Sequence, residues 1–376
     1  MNRVVNYQCL SRIDWRIVPV IFALMIISLL VISSMTADAE DLFWTPLVKS
    51  QLRWFLCGWA VFAVMAVFDY RKLQSFSWIL YGGIVVLLLG LYLTAPIQNV
   101  HRWYRIPVIG LNIQPSEHAK LIVAIALAHF LEKQGSYVGS LRVAMKAFAI
   151  MGLPFILILK QPDLGTALIL FPISLAMCYF AGVHSKVIRA MTLAGIGGLL
   201  VVLFLFVGMF SHEEMRPFFT RFMKEYQYER LNPNTYHQKA AATSIAVGGL
   251  TGTGWKESEF AGKKWLPAAH TDSVFAAYGE EFGFVGLVIL LLLFFALIYF
   301  SLQVAAVAKD AFGRILAAGL AVYLAMHVLL NISMMCALLP IAGVPLIFVT
   351  YGGNSILTTM AALGILQSIY SRRFMF

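Results

Sequence analysis

The chain is 376 residues long, with 60% hydrophobic and 12% charged side chains and a mean hydropathy of +0.81. A soluble domain carries roughly 25% charged residues, so a soluble enzyme and a disordered scaffold are excluded. The four cysteines (Cys9, Cys57, Cys178 and Cys336) are far apart and have no metal or disulfide spacing. The formal charge of +10 does not indicate nucleic acid, because its distribution follows membrane topology.

Crossing a bilayer takes roughly 20 mainly apolar residues in a helix. In chain order such stretches lie at about 17–34, 52–68, 75–94, 117–132, 141–159, 164–182, 187–210, 273–303, 312–336 and 349–371. The expected fold is therefore all-α and polytopic: one integral membrane domain over 1–376 with ten transmembrane helices. A large extracytoplasmic loop at 211–270 separates spans seven and eight. The fourth span carries Glu117, His118, Lys120 and His129, and the eighth is long enough to be a tilted helix. Ala37-Asp38-Ala39 fits a small-x-small cleavage site, but the apolar run before it is longer than a signal peptide's, so the first span is expected to be retained.

With the N-terminus inside, the inner segments hold 13 Lys and Arg and the short outer segments 5. This asymmetry places both termini in the cytoplasm. The 211–270 loop holds 8 basic residues and 6 Glu, and its aromatics include Phe222, Tyr228, Tyr236, Trp255, Phe260 and Trp265. It is expected to fold as amphipathic pieces at the outer interface.

Ionisable groups at membrane depth are functional candidates. Glu117 and Lys120, three apart, share a helix face and can pair. Asp163 and Asp272 stand at the outer starts of spans six and eight, where each suits the first turn of a helix. On an ideal helix Glu280 would lie roughly 12 Å below Asp272, beyond the roughly 5–9.5 Å of paired glycosidase carboxylates. His327 and Asn331, four apart, read as a polar contact between helices. Tyr351-Gly352-Gly353 fits either close packing or local unwinding. Charges clustered at the outer face suit an amphiphile with an anionic head group, and leave an enzyme and a transporter both open.

The motifs then narrow the reading. Arg12-Ile13-Asp14-Trp15, Arg102-Trp103, Gln114-Pro115-Ser116-Glu117, Gln161-Pro162-Asp163-Leu164-Gly165-Thr166, His270-Thr271-Asp272, Gly279-Glu280-Glu281-Phe282-Gly283, Leu339-Pro340-Ile341 and Gly343-Val344-Pro345 follow one another on successive spans. In these motifs the chain resembles the SEDS family (shape, elongation, division and sporulation proteins) over nearly its whole length. Gln161 and Leu164 around Pro162-Asp163, together with Ala342, favour the RodA-like rod-shape branch over the FtsW-like division branch. The chain departs from the family pattern at Asn99, at Ala242–Gly249 and at Pro345-Leu346-Ile347.

The resemblance implies a peptidoglycan glycosyltransferase that polymerises lipid II at the outer face of the bacterial cytoplasmic membrane. It implies a class B penicillin-binding protein as partner, alongside elongation machinery of the MreB, MreC and MreD type. It matches Asp272 to the family's essential acid, a candidate general base for an inverting transfer that releases undecaprenyl diphosphate. Arg102 and Lys120 would meet the diphosphate, Glu117 would orient Lys120, Asp163 would contact sugar or brace the cavity, and His270 would join the substrate-binding set. The resemblance fixes no cofactor, and Mg²⁺ or Mn²⁺ at the diphosphate is left open. The alternative from another class is a lipid II flippase, which needs a polar path through the whole membrane.

Overall fold

The computed structural model describes residues 12–37, 43–94, 101–106, 111–209, 212–221, 225–232 and 235–374. Cys9, Asp38, Ala39, Asn99 and Phe222 lie outside them. Several of the apolar helices open on a side-chain cap or a proline. Thr45 accepts from the Val48 amide with Pro46 at the first helical position, Ser140 accepts from Val143, and Asp310 from Gly313.

In chain order the helices are α1 (Ile17–Thr36), α2 (Pro46–Val67), α3 (Lys72–Gly90), α4 (Pro115–Gln134), α5 (Leu141–Lys160), α6 (Leu164–Ala181) and α7 (Ser185–Phe206), then α8 (His212–Phe219), α9 (Glu225–Glu229) and α10 (Tyr236–Gly248), and finally α11 (Val274–Val307), α12 (Ala311–Met335) and α13 (Gly353–Ser371). An antiparallel hairpin, β1 (Tyr104–Ile106) and β2 (Leu111–Ile113), lies between α3 and α4.

Among the described residues eight helices are long and apolar enough to cross a membrane: α1, α2, α3, α5, α6, α7, α11 and α12. The expected ten also counted α4 and α13. These two carry polar side chains and bury them: Glu117, Lys120 and His129 on α4, and Thr358, Thr359, Gln367 and Ser368 on α13. They are inner helices, and their polar groups face protein.

α12 lies at the centre, against α11, α6 and α4, while α13 runs along α2 and α3 along α4. Phe312, Leu316, Ala317 and Leu324 on α12 have no exposed surface. α7 is the outlier, packed on α6 and, through Leu205, on Tyr228 and Leu231 of the long loop, with most of its remaining surface exposed. The N- and C-terminal parts of the described chain meet at one end, where the Asp14 amide donates to Gln367 Oε1 at 2.9 Å.

Two expectations need correction. The eighth span is not one straight helix, because Gly283 breaks α11 at φ 63°. The amides of Phe284 and Val285 turn to the carbonyls of Gly249 and Leu250, at 2.9 and 3.1 Å. Those of Thr253 and Gly254 donate back to the carbonyls of Glu280 and Glu281. A Cβ at Gly248 would come within 2.0 Å of the Gly279 carbonyl oxygen, so only glycine admits this contact. The long loop, which carries α8, α9 and α10, thus docks on the break through the end of α10 and the turn at 249–254.

The tenth helix also starts late. Residues 340–352 contain no helix, and α13 opens only at Gly353, so 349–352 belong to an irregular stretch. Non-helical backbone at membrane depth survives only where protein satisfies its polar groups. Here side chains do so. Gln238 donates to the carbonyls of Met334 and Leu339 (3.0 and 2.9 Å), Asn331 to that of Val344 (2.8 Å), Ser28 to that of Val349 (2.9 Å) and Gln51 to that of Thr350 (3.2 Å).

Candidate active site

The end of the bundle opposite the Asp14–Gln367 contact gathers the turn before α11, the start of α6, the hairpin, α10 and the irregular stretch. Asp272 lies on that turn, half-buried. It does not cap α11, whose N-cap is Ser273, so the first-turn reading of this acid fails. Its backbone carbonyl accepts from Asn331 Nδ2 at 3.0 Å.

Burial pushes the Asp272 carboxyl above the usual range for an aspartate, and the charges of His237, Arg230 and Arg102 pull against that rise. Asp163 adds a smaller push in the same direction as burial. Gly343, at φ 71°, lies opposite. The point where its Cβ would stand is 3.6 Å from Asp272 Oδ2 and 3.8 Å from Arg230 Nη1. A carboxylate and an exposed guanidinium therefore face the same small gap.

Arg102 reaches across from the irregular residues just before β1. Its Nε donates to the Gln161 carbonyl at 3.2 Å and its Nη2 to the Pro162 carbonyl. Asp163 caps α6 by accepting from the Thr166 amide, and also accepts from Gln114 Nε2 (3.0 Å) and Ser116 Oγ (2.8 Å). It joins the starts of α4 and α6. The His270 ring stands edge-on to Tyr351, centroids 6.4 Å apart, and burial lowers its pKa.

Glu117 and Lys120 are buried on α4, beside Ser116, which donates to Asp163. Lys120 Nζ is 2.8 Å from Glu117 Oε1 and 2.8 Å from His327 Nε2, and lies 5.5 Å from the Tyr323 ring centroid. The ion pair that the spacing suggested forms, and Lys120 has 1% of its surface exposed. Arg102 and Asp163 therefore lie in the electrostatic neighbourhood of Asp272, while the Lys120 ammonium is buried and paired with Glu117. Among the described residues no three His, Cys, Asp or Glu side chains converge in a way that could hold a metal ion.

The family model FTSW_RODA_SPOVE, described as a cell cycle protein, matches residues 14–373. The chain belongs to this family. It is 31% identical over 375 residues to the peptidoglycan glycosyltransferase MrdB of Escherichia coli K12, covering 97% of this chain and 95% of that one. A probable peptidoglycan glycosyltransferase FtsW of Geobacter sp. strain M18 is 31% identical over 86% of this chain and 87% of its own length. Among solved structures, the rod shape determining protein RodA of Thermus thermophilus superposes with TM-score 0.71 at 24% identity, over 96% of this chain and 98% of that one. A chain from a study of polymerization and crosslinking by a peptidoglycan synthase complex gives TM-score 0.76 at 24% identity, covering 97% and 99%.

Within this family frame, two neighbours of Asp272 were missed in the sequence. Arg230 and His237 come from the long loop, and His237 Nε2 lies 2.7 Å from Ser273 Oγ. The one available signal was a basic residue and a histidine seven apart in a loop rich in aromatics, which is too common a pattern to single them out. Glu280 and Glu281, by contrast, serve the loop. Glu280 accepts from Ser244 Oγ and from the Phe260 and Ala261 amides, and Glu281 from Ser34 Oγ and the Lys256 amide.

Proposed function

We propose that this chain is a peptidoglycan glycosyltransferase that polymerises lipid II at the outer face of the bacterial cytoplasmic membrane, with Asp272 as general base. The observation that carries the reading is a half-buried carboxylate and an arginine facing one gap, in a chain related end to end to MrdB. The acceptor sugar hydroxyl gives its proton to Asp272 while its oxygen attacks the anomeric carbon of the donor. The bond from that carbon to the diphosphate oxygen breaks, and undecaprenyl diphosphate leaves with the electron pair. Attack opposite the leaving group inverts the anomeric centre. Arg230 and Arg102 supply the positive charge that stabilises the departing diphosphate, Asp163 braces the site, and His270 lines its edge.

We read the architecture as one domain with ten spans, α4 and α13 being the other two. At 20 and 19 residues each is about 30 Å long, the thickness of the hydrocarbon core. Both termini are cytoplasmic by the distribution of Lys and Arg. The partner is a class B penicillin-binding protein that crosslinks the product, within elongation machinery of the MreB, MreC and MreD type. Mg²⁺ or Mn²⁺ would enter with the diphosphate, and no step above depends on it. The flippase reading is disfavoured because the interior Lys120 is paired rather than lining a continuous polar path.

The test is lipid II polymerisation by purified protein with its cognate transpeptidase, wild type against Asp272→Ala. Glycan chains from the wild type alone support the enzyme and its base. Equal chains from both refute Asp272 as the base, and none from either favours translocation.

A further inference from the structure

We infer that Asn331 is the positioning residue for Asp272, a role that rests on reading Asp272 as the base. Asn331 is fully buried on α12. Its Nδ2 donates one hydrogen to the Asp272 carbonyl at 3.0 Å and the other to the Val344 carbonyl at 2.8 Å. Among the described residues its Oδ1 has no partner, so the side chain is used only as a double donor. One amide thereby fastens the turn that carries Asp272 to the stretch that carries Gly343. The gap faced by Asp272 Oδ2 and Arg230 Nη1 lies between those two segments, and the clamp fixes its width.

The clamp has a rigid backing. His327, one turn earlier on α12, places Nδ1 3.1 Å from the carbonyl of Pro345, the residue after Val344. An ammonium can only donate. The contact from Lys120 to His327 Nε2 therefore makes Nε2 the acceptor and leaves the hydrogen on Nδ1, where it donates to Pro345. Two successive carbonyls of the irregular stretch are thus held from one face of α12, with Lys120 and Glu117 behind. A serine at 331 could hold one of the two carbonyls and a leucine neither. An aspartate would set a carboxylate against two carbonyl oxygens.

The experiment is steady-state lipid II polymerisation with the transpeptidase present, comparing wild type, Asn331→Ser, Asn331→Leu and Asp272→Asn, with each variant's melting temperature. The expected result is a fall in kcat of at least about tenfold for Asn331→Leu, the kinetic equivalent of one positioning hydrogen bond. KM should stay within about twofold, and Asn331→Ser should fall between. The acidic limb of the pH profile should also move to lower pH as Asp272 gains solvent, because burial is the largest influence on this carboxyl and its relief outweighs any loss of the opposing pull from His237, Arg230 and Arg102. Wild-type kcat in Asn331→Leu, with Asp272→Asn inactive, overturns this inference alone. An active Asp272→Asn overturns the base assignment instead. If the leucine variant does not fold, the serine variant decides: an unchanged kcat and pH profile refutes the clamp.

Discussion

Lys120 Nζ donates to Glu117 Oε1 at 2.8 Å within the bundle, with the lysine side chain 0% and the glutamate side chain 5% exposed. Removing one member of a buried pair strands the other charge, at a cost of about 3–5 kcal/mol, whereas replacing both with apolar or neutral groups is far milder. Lys120→Met is therefore expected to lower the melting temperature sharply, and Glu117→Gln with Lys120→Met to recover most of the loss. Thermal unfolding in detergent measures both, and the difference should persist at high salt because a buried pair is weakly screened. A lysine that met the diphosphate would instead lose polymerisation with its melting temperature unchanged.

The environment of Asp272 couples activity and stability to pH in opposite directions. The carboxyl is pushed up chiefly by burial, against the pull of His237, Arg230 and Arg102. As a base it works only when ionised, so kcat should fall as pH drops through this raised value, above the roughly 3.9 of a free aspartate. For stability, the folded state holds the proton more tightly than the unfolded state between those two values. Stability contributed by this group is therefore full below the unfolded value and declines as pH rises to the folded one. Asp272→Asn removes the ionisation, so the expected variant is inactive yet at least as stable as wild type at neutral pH. A melting temperature below wild type at neutral pH would contradict the assignment of burial as the dominant influence on this carboxyl.

The helices were legible in the sequence because apolar runs of span length have few other stable forms in a membrane. Asp163 as the opening residue of α6 was legible too, and Arg102, Asp163 and Asp272 do gather at one end. The path of 336–352 was not. Leu338-Leu339-Pro340-Ile341 and Val344-Pro345-Leu346-Ile347-Phe348-Val349 are as apolar as a span. Pro340, Pro345 and the positive φ of Gly343 break the helix, and the freed carbonyls are taken by side chains outside the stretch: Gln51, Gln238, His327 and Asn331. His327 and Asn331 read as a helix–helix contact because their partners are backbone carbonyls, which leave no mark on side-chain spacing. Gly283 likewise looked like an ordinary helical glycine, since the strand-like pairing that uses it comes from Gly249–Gly254.

The same long-range logic assigns Glu280 to the loop rather than to chemistry. Its carboxylate is fully buried and accepts from Ser244 Oγ at 2.8 Å, the Phe260 amide at 2.7 Å and the Ala261 amide at 3.0 Å. Hydrogen bonds to a charged group contribute about 1.5–3 kcal/mol each, and a stranded buried donor costs a similar amount. Glu280→Ala leaves both amides without this acceptor and frees α10 at Ser244, the helix that also bears His237. The opening should be local, because the segment 253–266 is tied to the bundle by such loop contacts while the α12 core is not. Hydrogen exchange in detergent is expected to rise across 253–266, most at Phe260 and Ala261, with α12 unchanged. Polymerisation should fall in parallel as His237 and Arg230 lose register with Asp272. Unaltered exchange across 253–266 in Glu280→Ala would show that the carboxylate does not fasten the loop.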